Sequence, residues 1–121
     1  MGAHNFRKLK IYQRAIEFTV AIYMISRRFP KEELYGLTSQ IRRAVTSVCL
    51  NISEGSGNKS EKEYSRFLEI SLRSVYEVMT CLEIALRLGY CDQADHEQLI
   101  AEADEIAAMI SVFSRSLLSE V

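Results

Sequence analysis

"EGSGNKSEKE" (Glu54–Glu63) is the stretch on which the fold turns. Two glycines, a lysine and a serine crowd into Glu54–Ser60, the composition of a phosphate-binding loop. A Walker-type loop, however, needs G-x-x-x-x-G-K-[ST] between a strand and a helix. Here Asn58 separates Gly57 from Lys59, and the apolar residues before the stretch keep helical spacing. The stretch therefore reads as a turn between two helices, with Gly55 and Gly57 supplying a permissive backbone. Ser60 and Glu63 form a capping box, in which the serine accepts from the backbone three residues on and the glutamate reaches back. Free N–H groups at that helix start, beside Lys59 and Lys62, could still touch a phosphate.

The helical pattern extends in both directions. Toward the N-terminus, Leu37, Ile41, Ala44 or Val45, Val48 and Ile52 form one stripe that gives out at Gly55. Before it, Leu9, Tyr12, Ile16, Val20 and Tyr23 form the core stripe of a first helix over Phe6–Phe29, which Pro30 stops. Toward the C-terminus, Tyr64, Phe67, Leu68, Val75, Val78, Leu82 and Leu86 keep the period until Gly89, a C′ glycine. Asp92 then caps a fourth helix with the stripe Leu99, Ala103, Ile106, Ile110, Phe113 and Leu117. No segment alternates as a half-buried strand does. The expected fold is all-α, an up-down-up-down antiparallel four-helix bundle. Residues 1–5 are expected to be a flexible tail and residues 6–121 a single domain. The last two helices, at roughly 25 residues each, would run about 38 Å and make a rod.

Composition narrows the function. The 121 residues are 48% hydrophobic and 26% charged, the balance of one globular domain. No apolar run is long enough to span a membrane and the N-terminus lacks a signal-peptide core, so the cytoplasm is the expected compartment. Cys49, Cys81 and Cys91 are odd in number and widely spaced, which fits small core residues under reducing conditions. A di-iron bundle needs two Glu-x-x-His pairs. The histidines here are His4, in the tail, and His96, expected on an exposed helix face; Gln93 stands three residues before His96. "HEQLI" (His96–Ile100) begins like a zinc-protease helix but ends on Ile100 instead of histidine. With no nucleophile–base set and no metal or cofactor pattern, no enzyme is expected.

Charge is unevenly placed. Residues 1–60 hold ten Lys/Arg against four Asp/Glu, a net of +6, whereas residues 61–121 hold five against twelve, a net of −7. Such polarity suits an anionic partner or attraction between subunits. The first helix also carries a second apolar stripe: Ile11, Ala15, Phe18, Ile22, Ile25 and Phe29. Monomers rarely expose so large a patch. Ile11, Phe18, Ile22 and Ile25 are therefore the expected subunit interface, the alternative being one broad arc of the helix turned to the core.

"ELYGLTSQIRRAVTSVCLNISEG" (Glu33–Gly55), "KEYSRFLEISLRSVYEV" (Lys62–Val78), "FRKLKIYQRA" (Phe6–Ala15) and "LGYCD" (Leu88–Asp92) together resemble a bacterial family. Its members are four-helix-bundle proteins first noticed in intervening sequences of large-subunit ribosomal RNA genes. Cys49 and Leu50 stand where the family usually has Pro and Ala, and Ser53 where it has Ala; these are packing changes in the second helix. The resemblance implies a homo-oligomer, a ring of five bundles around a channel. It also implies kinship with the accessory variability determinant proteins of diversity-generating retroelements, whose pentamers bind nucleic acid and the element's reverse transcriptase. The family has no established enzymatic activity.

The leading expectation is thus a non-enzymatic oligomer that binds RNA or DNA backbone, with a reverse transcriptase as a further partner. The candidate cations are Arg7, Lys8, Lys10 and Arg14 on the first helix, Arg42 and Arg43 on the second, and Lys59, Lys62 and Arg66 around the start of the third. A pI near 6.1 is low for a dedicated nucleic-acid binder, and Tyr12 and Tyr64 fall on core stripes. The rival is a protein–protein scaffold whose basic half pairs with a neighbour's acidic half, Arg42 and Arg43 meeting Glu69, Glu77 or Glu83.

Overall fold

The computed structural model describes residues 2–119, with side chains from residue 5 onward. Four α-helices follow one another: α1 (Lys10–Ser26), α2 (Leu37–Ser56), α3 (Glu61–Arg87) and α4 (Gln93–Ser119). Short 3-10 segments precede α1 (Gly2–Lys8) and α2 (Lys31–Glu33), and no strand occurs among the described residues. Of the residues expected as a tail, Gly2–Asn5 thus begin a 3-10 segment, while Met1 lies outside the described residues.

The ends of the helices are set by local chemistry. The residue before a proline is biased away from the α conformation, and α1 ends in tightened turns in which Arg28 and Phe29 N–H donate to the Ile25 and Ser26 carbonyls, just ahead of Pro30. Gly36, the N-cap of α2, has no side chain to offer. The Glu33 carboxylate takes that place, accepting from Leu37 N–H at 3.0 Å. Ser60 caps α3 as expected, its Oγ accepting from Glu63 N–H at 3.2 Å. The other half of the capping box is absent, because Glu63 Oε1 is bound to Arg66 Nε at 3.0 Å. At the end of α3, Gly89 has φ +81, Gly89 N–H donates to Leu86 and Tyr90 N–H to Ala85, the two bonds of a Schellman motif. Asp92 Oδ1 accepts from Asp95 N–H at 2.8 Å and opens α4.

Cross-helix bonds fix the directions. Along α1 and α2, Thr19 meets Cys49 and Val45, Tyr23 meets Thr46, and Ser26 meets Arg42, so the two are antiparallel. Between α2 and α3, Ser71 Oγ donates to the Val48 carbonyl (2.8 Å) and Ser74 Oγ to Ser47 Oγ (2.9 Å). Between α3 and α4, Ser65 and Ser114 share a 2.7 Å hydroxyl bond near one end, and Glu83 faces His96 near the other. Arg14 pairs with Glu105, and Arg28 with Asp95, across α1 and α4. Each helix packs on two neighbours, and among the described residues the diagonal pairs do not approach. The chain is an up-down-up-down antiparallel four-helix bundle.

The core runs through Phe18, Ile22, Ile41, Val45, Val48, Ile52, Leu68, Val75, Val78, Leu82, Ile106 and Ile110, all fully buried. Burying side chains of this size stabilises by about 1.5–3 kcal/mol each, set against the entropy of ordering them. The roles expected of the two stripes of α1 are reversed. Ile11, Ala15, Phe18, Ile22, Ile25 and Phe29 face the bundle core, whereas Ile16, Val20, Tyr23 and Met24 lie exposed. Both stripes are apolar, and only packing against α2 and α4 decides which is inside. Ile11, Phe18, Ile22 and Ile25 therefore cannot form a subunit interface in the folded chain.

Two further expectations fail for physical reasons. Gly55 is a buried residue within α2 and serves no turn: a Cβ there would stand 2.8 Å from Phe67 Cβ and 2.9 Å from Tyr64 Cδ1. It permits α2 and α3 to approach closely. Gly57 has φ −82, which any residue adopts. His96 is not exposed: its side chain is 12% accessible, and both ring nitrogens are buried without a hydrogen-bond partner, Nε2 lying 3.5 Å from Glu83 Oε1.

Candidate nucleic-acid interface

The antiparallel arrangement brings the start of α1, the end of α2, the start of α3 and the end of α4 to one end of the bundle. The 3-10 segment before α1 packs there on α2 as well as on α1. Seven of the nine candidate cations belong to this end: Arg7, Lys8, Lys10, Arg14, Lys59, Lys62 and Arg66. Arg42 and Arg43, on the second turn of α2, lie toward the opposite end, where α1 finishes.

The seven are not equivalent. The Arg14 guanidinium is engaged with Glu105, which holds the Glu105 carboxyl below its usual range and raises Arg14 further. Arg66 is tied to Glu63 and lies over the Phe67 ring at 4.9 Å. Arg7, Lys8, Lys10, Lys59 and Lys62 are exposed and enter no ion pair among the described residues. These five are the cations free to meet phosphate. Glu54 and Glu61, also near this end, enter no ion pair among the described residues. Arg42 is committed elsewhere, its Nε donating to Ser26 Oγ at 2.8 Å and its guanidinium 4.9 Å from the Tyr23 ring centre. It clamps α2 to the end of α1. Arg43 is exposed and enters no ion pair among the described residues.

One cation escaped the sequence reading. Arg115, exposed near the end of α4, belongs to the same end as Lys59 and Lys62. It sits within the acidic half of the chain, where charge counting hides it, yet an up-down topology returns α4 to the start of α3. Tyr64 was read as core and is half-buried, its ring packed edge-on against Phe113 at 5.4 Å. Burial, with Glu61 nearby, pushes its hydroxyl above the ordinary range, so it stays a neutral phenol.

Elsewhere there is little on which to build chemistry. No group of three or more His, Cys, Asp or Glu side chains could hold a metal ion among the described residues. Burial pushes the Cys49, Cys81 and Cys91 thiols up, away from nucleophilic thiolate. The His4 side chain lies outside the described residues. No helix among the described residues is long and apolar enough to cross a membrane.

The 23S rRNA-intervening sequence protein family matches residues 7–112, from the first of the free cations into the last turns of α4. The chain belongs to that family. A solved structure with the same architecture is a protein of unknown function from the S23 ribosomal protein family of Bacteroides thetaiotaomicron VPI-5482. It is 24% identical with a TM-score of 0.78, covering 85% of this chain and 97% of its own, a likeness of fold. No curated protein matches the chain. Neither the family description nor that of the solved structure names an enzymatic activity.

Proposed function

We propose that this family member is a non-enzymatic homo-oligomer that binds RNA or DNA backbone through the basic end of its bundle, as an accessory to a larger enzyme. The observation that carries the reading is the set of five exposed cations without an ion pair among the described residues, Arg7, Lys8, Lys10, Lys59 and Lys62, drawn from two separate segments onto one end. Phosphate binding needs cations on one surface and little else, so a chain of net charge −1 can still present a local anion site. Repeating the site by subunit symmetry multiplies a weak contact. The pentamer and the reverse transcriptase partner implied by the family resemblance are the assembly and the enzyme to test first.

The experiment is a titration of labelled RNA and DNA at several salt concentrations. Affinity should fall linearly in logarithm with salt and depend little on sequence. Replacing Arg7, Lys8 and Lys10 by Ala should reduce the magnitude of the salt slope by about two to three, while helicity and melting temperature stay nearly unchanged. No binding at low salt by the intact oligomer would end the reading for the protein acting alone.

A second reading has its own support. Two unlike apolar patches are exposed: Ile16, Val20 and Met24 along α1, and Tyr76 and Ile84 of α3 beside Leu37 of α2, where Glu77 borders the groove. Two different patches suit a head-to-tail contact between copies, and Arg43 with Glu77 would supply the charge pairing of a scaffold. Arg43→Glu, loosening the oligomer in light scattering and restored by Glu77→Arg, would favour that reading.

A further inference from the structure

Between the N-cap of α1, the α2–α3 turn and the last turns of α4 opens a cleft of about 380 Å³. Its apolar wall is made by Leu9, Tyr64 and Phe113, and its polar edge by Asn58, Lys59 and Glu61. The Tyr64 hydroxyl has no hydrogen-bond partner among the described residues, and the Asn58 amide donates to the Glu54 carbonyl at 3.2 Å, which leaves its oxygen free as an acceptor. Lys59 and Glu61 lie on the rim, and Leu9, which closes one side, sits between the free cations Lys8 and Lys10 in sequence.

We infer that this cleft holds one unpaired nucleobase of a single-stranded nucleic acid whose phosphates lie on Lys8, Lys10 and Lys59. The inference rests on the nucleic-acid reading above and adds to it what the strand must look like. A flat aromatic ring bearing donors and acceptors at its edge matches a cleft that is aromatic on one side and amide- and hydroxyl-lined on the other. The phosphates of that nucleotide would lie on the Lys59 side of the rim, away from Glu61. A base still paired in a duplex cannot enter, because its edge is occupied and its faces are stacked. Base stacking on a protein aromatic is tolerant of sequence, which agrees with a site that has few directional groups.

The test uses the full-length protein and fluorescence anisotropy at low salt. Three RNA probes of equal length, about 16 nucleotides, are compared: a single strand, the same strand with abasic sugars throughout, and a duplex. The single strand should bind about tenfold tighter than the abasic strand, which has the same phosphates. Tyr64→Leu, which keeps bulk but removes the aromatic face, should erase that difference and leave the salt slope intact. Equal binding of native and abasic strands by the unaltered protein would overturn the inference and leave phosphate binding standing, and this comparison needs no variant to fold. A native-strand preference that survives in a folded Tyr64→Leu protein would also overturn it, since the bases would then be held elsewhere. Failure of every probe to bind would end both readings.

Discussion

Three glycines and one glutamate carry more of this bundle than their surface chemistry suggests. Gly55 has Phe67 Cβ and Tyr64 Cδ1 where its own Cβ would be, within 2.9 Å in both cases. Gly55→Ala should force α2 from α3 and destabilise by about 1–3 kcal/mol, read as a lower midpoint in urea. Gly89, in contrast, has open space around it and is required for its positive φ alone. Glu33 accepts from Leu37 N–H and from the Tyr90 hydroxyl at 2.9 Å, and these bonds hold its carboxyl below the usual range. The same bond raises the Tyr90 phenol. Because the folded value is depressed, the contribution of Glu33 is present above about pH 4.3 and lost as pH falls through the lower folded value. Glu33→Gln should therefore flatten the acid side of the melting-temperature profile between about pH 4.3 and the folded value, and a profile unchanged from the native protein would refute the assignment. A Cβ at Gly36 would stand 2.8 Å from Glu33 Oε1, so Gly36→Ala should displace the carboxylate and lower the melting temperature by the same route.

At the scale of the element, α1 is the helix on which function and stability are most easily confused. Its apolar residues cover most of its circumference, with Gln13, Arg14, Glu17 and Ser26 as the few polar positions inside it that sequence alone marks out. Of these, Ser26 is buried and holds Arg42, so even the polar positions do not mark the outer face. Phe18→Glu should abolish cooperative unfolding, because an unpaired carboxylate would be placed in a site with no solvent access. Val20→Glu, on the stripe that is 57% exposed at that position, should keep helicity and cooperative unfolding, any fall in melting temperature being that of lost assembly. Circular dichroism of the two variants separates core from surface stripe without reference to assembly.

For the whole molecule, the exposed stripe of α1 and the α2–α3 groove leave apolar area that a lone bundle of 13.8 kDa would carry at a cost in solubility. Light scattering at micromolar concentration should give several times that mass, and Val20→Glu or Met24→Glu should shift it downward while helicity is retained. A monomer across the concentration range would remove the oligomer from the proposal and leave the basic end to act as a single site. Arg7, Lys8, Lys10, Lys59 and Lys62 lie at one end of the bundle, whereas the apolar stripe runs along its side. Assembly and phosphate binding are therefore separable, and substitution of Arg7, Lys8 and Lys10 should leave the mass as it is.

The sequence by itself determined the four helices, their order and the caps at Ser60, Gly89 and Asp92, because these signals, with helical periodicity and Pro30, act over a few residues. It determined the antiparallel bundle too, since short connections leave each helix no other neighbour. Membership of the family was legible in motifs spread along nearly the whole chain. The inner stripe of α1 was not legible, because both stripes satisfy the same period and only the contacts of α2 and α4 select one. Nor was the role of Gly55, whose need for space is created by Tyr64 and Phe67 on another helix. The candidate site was legible as a list of cations but not as a place. Sequence could not show that Arg14 and Arg42 are spent on Glu105 and Ser26, or that Arg115 returns to the basic end. Those outcomes depend on which residues far apart in the chain come within a few ångströms, and periodicity within one helix does not contain that distance.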